Sequence, residues 1–138
     1  MSQYVGPAWV TLAYVTVYYL FQVNVLWVKQ NLAKAYKARG ERFDRYDASD
    51  REMLAADRIQ LNMLEHMPVF LVLLWMHAVF VSPSEATVLG AVYTALRVAY
   101  PLVLGKRMGR RVPVRILPVT FAGYAILLAF VVRIAMSL

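Results

Sequence analysis

Four long apolar segments follow one another along 138 residues, and they leave this chain few ways to fold. Residues 4–28 carry no charged side chain over 25 positions, enough helix to cross a ~30 Å hydrocarbon core even when tilted. Residues 59–81 are interrupted only by Glu65, His66 and His77, residues 86–104 only by Arg97, and residues 116–138 only by Arg133. Hydrophobic residues make up 61% of the chain, against the ~45–50% of ordinary soluble domains. Each segment fits one helical span. The reading is an all-α integral membrane protein: a single domain over residues 1–138, folded as a four-helix antiparallel bundle with helices near 5–38, 50–81, 84–104 and 113–137.

Local signals set those boundaries. Gly6-Pro7 opens helix 1, because proline is favoured at a first helical position. The helix continues past the membrane as an amphipathic extension over residues 34–39, and Gly40 is its stop. Acids and bases alternate over residues 41–50, a solvated loop from which Ser49 or Asp50 caps helix 2. Pro68 lies inside helix 2, removes one backbone bond and is expected to kink it. Ser82 or Ser84 caps helix 3. A basic turn over residues 105–113 leads into helix 4, where Pro118 is expected to bend the first turns. Loops this short imply sequential antiparallel packing.

The net charge of +7 would fit nucleic acid if it formed one patch, but it does not. Eight of the fifteen Lys and Arg residues lie between positions 29 and 58, and five more, Arg110 and Arg111 among them, between 106 and 115. Residues 1–28 and the turn at 82–85 have none. That alternation is the positive-inside pattern: basic loops cytoplasmic, both termini on the opposite side. The cations then meet anionic lipid headgroups, and no nucleic-acid partner is expected. The first residues lack the positive region of a cleavable signal peptide. With no cysteine, disulfides, thiolate metal sites and a cysteine nucleophile are excluded.

The chemistry concentrates where helix 2 begins. At 100° per residue, Arg58, Asn62 and Glu65 fall within about 60° of arc. A cation, an amide and an anion on one stripe suit a small zwitterionic ligand, and ionisable groups at membrane depth usually serve a function. They equally suit an intrahelical ion pair, with Arg97 on helix 3 as a second partner for Glu65. Gln60 points about 160° away from Asn62, toward either a neighbouring helix or a site shared with another subunit. Arg97 and Tyr100, three apart, share a face at the same depth. Arg115 is either one more loop cation or, if it faces the cluster, a group that stabilises a thiolate. His66 and His77 stand about three turns apart on one face, too far for one metal ion, and read as hydrogen-bonded bundle histidines. No metal site is expected. The aromatic stripe of Tyr14, Tyr18, Phe21 and Trp27 reads as helix packing or lipid contact.

Taken in order, Arg58-x-Gln60-x-Asn62-x-x-Glu65-x-x-Pro68, Ala95-Leu-Arg97-Val-Ala-Tyr100 and Pro113-Val-Arg115-x-x-Pro118 make the chain resemble the MAPEG family, membrane-associated proteins in eicosanoid and glutathione metabolism. The resemblance implies a homotrimer binding glutathione between adjacent subunits near the cytoplasmic face. It implies Arg58, Asn62, Glu65 and His66 as glutathione contacts from one subunit with Arg97 and Tyr100 nearby, Gln60 from the neighbour, and Lys37 as a basic ligand at the end of helix 1. Arg115 matches the arginine that stabilises the thiolate in catalytic relatives. Two departures, Leu104 at a position where several relatives carry tyrosine and a longer basic turn before Pro113, argue against a specific leukotriene or prostaglandin activity.

Elementary chemistry agrees with that assignment. Glutathione carries two carboxylates and an ammonium, so Arg58, Lys37, Arg97 and Glu65 supply the complementary charges. Its thiol, with a pKa of about 8.5, is mostly protonated at neutral pH, and a nearby guanidinium raises the reactive fraction. The expected activity is conjugation of glutathione, as co-substrate, to a hydrophobic small molecule arriving through the bilayer, with reduction of lipid hydroperoxides as a further capacity. The alternative is a non-catalytic lipid-binding or scaffold member of the same family.

Overall fold

A computed structural model describes residues 2–47, 50–109 and 113–138. Four helices carry the fold: α1 (Val5–Ala38), α2 (Arg51–Phe80), α3 (Pro83–Leu104) and α4 (Leu117–Ala135), with single 3₁₀ turns at Ser2–Tyr4 and Val114–Ile116. All four are long and apolar enough to cross a membrane. At 34 residues, α1 is about 51 Å long and outreaches the hydrocarbon core.

The helix ends follow from their chemistry. At the end of α1, Gly40 adopts a φ of 74°, and its N–H donates to the Lys37 carbonyl while Glu41 N–H reaches the Tyr36 carbonyl. That is the glycine-terminated cap that satisfies orphan carbonyls. Asp50 Oδ1 accepts from the amides of Glu52 (3.0 Å) and Met53 (2.9 Å), so it caps α2; Ser49, the other candidate, lies outside the described residues, as do Arg110 and Arg111. Ser82 Oγ accepts from Glu85 N–H and caps α3. Helix α2 runs without interruption through Pro68. The start of α4 differs from the sequence reading, at 117 rather than 113. Pro118 has no N–H for the Val114 carbonyl, so the preceding turn closes by i→i+3 bonds instead.

Helices α1 and α4 each pack on both α2 and α3, on opposite flanks of that central pair. The core is an aromatic stack: Phe70 lies 4.4 Å from Tyr93 and 4.7 Å from Tyr14, ring centre to ring centre. Tyr14 donates its hydroxyl to the Met63 carbonyl at 2.9 Å, which satisfies a polar tip inside apolar surroundings. The parallel helices α1 and α3 meet closely near their N-termini. A Cβ on Gly90 would stand 2.7 Å from a methyl of Leu74 and 2.9 Å from one of Val10, so glycine makes room for both side chains against α3. Elsewhere the outer surface is apolar, with Trp9, Tyr19, Leu20, Phe121 and Leu128 exposed, as suits a lipid solvent.

Candidate functional site

At the end of the bundle bearing the basic loops, the start of α2 is held on several sides. Tyr36 donates to Asp50 Oδ2 at 3.0 Å, and Arg45 pairs with Asp57 at 3.2 Å. Met108 N–H donates to the Arg51 carbonyl at 3.0 Å, and the Arg51 side chain returns a bond to the Met108 carbonyl. Residues from this turn onward therefore have fixed directions.

The stripe of Arg58, Asn62 and Glu65 divides between outside and inside. Arg58 Nη1 stands 3.6 Å from Glu65 Oε1, and the two side chains are 45% and 55% exposed. They project from an otherwise apolar flank that includes exposed Leu61, Leu64 and Val69. His66, half-buried beside them, sets its ring 5.4 Å from Tyr124 of α4 and lies within electrostatic reach of Arg58, Glu65 and Arg97.

Asn62 turns inward. Its Oδ1 accepts from Arg97 Nη1 at 3.0 Å, and Arg97 is only 2% exposed. The guanidinium lies 4.8 Å from the centre of the Tyr93 ring, an attractive cation–π contact. Its Nε and Nη2 have no hydrogen-bond partner among the described residues. Space for it comes from Gly123 of α4, where any Cβ would collide with Arg97 Nη2. Arg97 was one offered partner for Glu65; its partner is Asn62, because it occupies the inner face of α3 while Glu65 faces out.

The remaining candidates stand apart from this flank. Gln60 donates through Nε2 to the Tyr18 hydroxyl of α1 at 3.2 Å, on the other side of α2. Lys37 is exposed near the end of α1, with no ion pair among the described residues. Tyr100 is buried among Ile59, Leu104 and Ile116. Arg115 is exposed and donates through Nη2 to the Leu104 carbonyl at 3.3 Å, which pins it to the C-terminus of α3. One subunit thus joins Arg58 to Glu65 and Asn62 to Arg97, and leaves Gln60, Lys37, Tyr100 and Arg115 separate.

Two contributors escaped the sequence reading. Tyr18 was read with its stripe as helix packing or lipid contact; it packs on α2, and its role as the acceptor for Gln60 was not foreseen. Gly123 carried a usable signal, a lone glycine within the bulky run of helix 4, which marks close approach. At the opposite end, His77 is buried with its ring 5.1 Å from Phe130 and its Nε2 3.6 Å from Glu85, whose Oε2 lies 2.9 Å from Arg133. His77 was expected to be hydrogen-bonded; neither ring nitrogen has such a partner among the described residues. Packing against Phe130 holds the ring instead, with the Glu85 carboxylate close by.

A search of curated proteins finds no match. The model of the MAPEG family matches residues 7–136, nearly all of the four helices and every candidate residue above. This membrane-helical chain belongs to the MAPEG family.

Proposed function

We propose that the chain is a membrane-bound glutathione transferase that works as a homotrimer, with glutathione held between adjacent subunits. The observation that carries this reading is the half-exposed Arg58–Glu65 pair on a membrane-spanning helix. Charged groups facing lipid cost about 2.5–3.5 kcal/mol each at a helix centre on insertion scales. A flank of that kind calls for protein cover and a polar occupant. A neighbouring subunit supplies the cover, and a tripeptide with two carboxylates and an ammonium is the occupant whose charges answer Arg58 and Glu65. Gln60, directed away from this flank, and Lys37, near the end of α1, reach the same ligand from the adjacent subunit.

Arg115 is the group proposed to activate the thiol. Beyond its bond to the Leu104 carbonyl, its guanidinium has no hydrogen-bond partner among the described residues, and it stands at the N-terminal end of α4, where the helix dipole also favours an anion. The thiol proton leaves to solvent and the thiolate is held by the guanidinium. Sulfur then attacks the electrophilic carbon of an apolar substrate; a C–S bond forms and the leaving group departs with its electron pair. With a lipid hydroperoxide, two glutathiones yield the disulfide, the alcohol and water. The basic loops are placed in the cytoplasm on the strength of their charge.

The test is conjugation of glutathione to a hydrophobic aryl halide by purified wild type and Arg115→Ala. A loss of about 10²-fold or more, the scale of removing one transition-state donor, is expected; equal rates would remove Arg115 from catalysis. One observation favours a second reading. Leu104 is buried in an apolar cluster, at a position where the family resemblance puts tyrosine in several relatives, which suits a non-catalytic lipid-binding or scaffold protein. In that case lipid, and not glutathione, raises thermal stability.

A further inference from the structure

Helices α1 and α3 run parallel and touch near their N-termini, through Gly6 against Thr87 and Val10 against Gly90. Toward the basic end they part, and a cavity of about 460 Å³ opens between them with α2 as its floor. From Gly6 to Phe21 and Val28, the limits of the cavity on α1, is about 22–33 Å of helix. The cavity therefore lies where hydrocarbon gives way to headgroups. On α2 it meets the stripe that begins at Glu52 and ends at Ile59, about 120° around the helix from Arg58 and Glu65. It is not the flank assigned to glutathione.

Its lining changes character along its depth. Phe21 and the small Ala55 and Ala56 make an apolar recess. Trp27 (61% exposed) and Leu102 (83% exposed) stand as walls on either side, so the mouth faces outward between α1 and α3. Tryptophan at headgroup depth fits that position. At the loop end stand Glu52 and Lys106, and Asn24 lines the wall on α1. Neither the carboxylate nor the ammonium has an ion-pair partner among the described residues. An acid in the first turn of a helix is ordinary. An acid and a base, both unpaired, lining one recess at the membrane boundary form a complementary surface for a ligand with one of each.

We infer that this cavity binds a zwitterionic phospholipid bearing a primary ammonium. Its phosphate meets Lys106, its ammonium donates to Glu52, and part of one acyl chain enters the recess above Ala55 and Ala56. A lysolipid and a diacyl lipid of the bilayer share this chemistry. The inference stands independently of the glutathione reading, because it uses none of those residues.

The experiment is native mass spectrometry of the detergent-purified full chain with four added lipids: phosphatidylethanolamine, lysophosphatidylethanolamine, phosphatidylcholine and phosphatidylglycerol. Ethanolamine lipids are expected to bind in preference to the choline lipid, which lacks N–H donors, and to the glycerol lipid, which lacks a cation. Glu52→Gln should erase about tenfold of that preference, the scale of one charge-assisted hydrogen bond. Ala56→Leu, which fills the recess, should lower occupancy by every lipid. Preferential binding of the lyso form identifies a free single-chain ligand, and preferential binding of the diacyl form a bilayer lipid; either supports the site. Equal binding of ethanolamine and choline lipids by the wild type, or an unchanged preference in a Glu52→Gln protein of wild-type helicity, overturns it.

Discussion

Asn62 holds the only hydrogen bond that the Arg97 guanidinium makes among the described residues, so Asn62→Ala isolates what that bond contributes. Interhelical hydrogen bonds in membranes average about 0.6 kcal/mol and reach about 1.7, because the separated helices find other partners. Two facts place this bond at or above that maximum. The donor is a cation, and charge-assisted bonds are worth about 1.5–3 kcal/mol. The cation is also only 2% exposed, so without the amide it keeps just the Tyr93 face; an uncompensated buried charge costs about 3–5 kcal/mol in soluble proteins. Between these bounds we expect a loss of about 2–3 kcal/mol. At roughly 4 °C per kcal/mol for a chain of this size, thermal unfolding in detergent should fall by about 8–12 °C. Adding Arg97→Met removes the stranded charge, and should recover at least half of that loss. A shift below about 2 °C for Asn62→Ala, or a further fall in the double variant, would refute the reasoning.

Gly123→Ala adds one carbon that would overlap Arg97 Nη2; overpacking of this kind costs about 1–3 kcal/mol, read by the same thermal assay. At the opposite end, Glu85→Gln should cost under about 1 kcal/mol, because its partner Arg133 is 52% exposed and exposed pairs contribute little. Tyr18→Phe should lower stability by about 0.6 kcal/mol, the membrane average for one interhelical bond, through loss of the acceptor for Gln60.

The spans, the caps at Asp50 and Ser82 and the stop at Gly40 were legible in the sequence because each is a local property: apolar length, a side-chain acceptor, a positive φ. The direction of each residue around its own helix was also legible, and Gln60 does point away from Asn62. What neighbouring helices do was not. Periodicity fixes azimuth within one helix and leaves the rotation of the next one open, so Arg97 could be placed at the right depth and still be given Glu65 instead of Asn62. Helix 4 began late for a different reason. A proline two residues inside a helix suppresses the α-type bond before it, and the basic turn offered no other marker. Leu104 and Arg115 were read as separate features, yet the backbone of one holds the side chain of the other. The cavity between α1 and α3 had no sequence signature, because it arises from close packing at Gly6 and Gly90 and divergence farther along.

The claim on which the functional reading turns is that the outer flank of α2 holds glutathione. Calorimetric titration of glutathione into the purified protein addresses it directly, with wild type and Glu65→Gln compared. Glu65 is 55% exposed and its partner Arg58 sits at the surface, so the substitution should leave the fold intact while removing the carboxylate that receives the ligand's ammonium. Saturable binding by the wild type, weakened about tenfold or more in Glu65→Gln, is the expected result. Absence of binding to the wild type, or equal affinity in the two proteins, would contradict it.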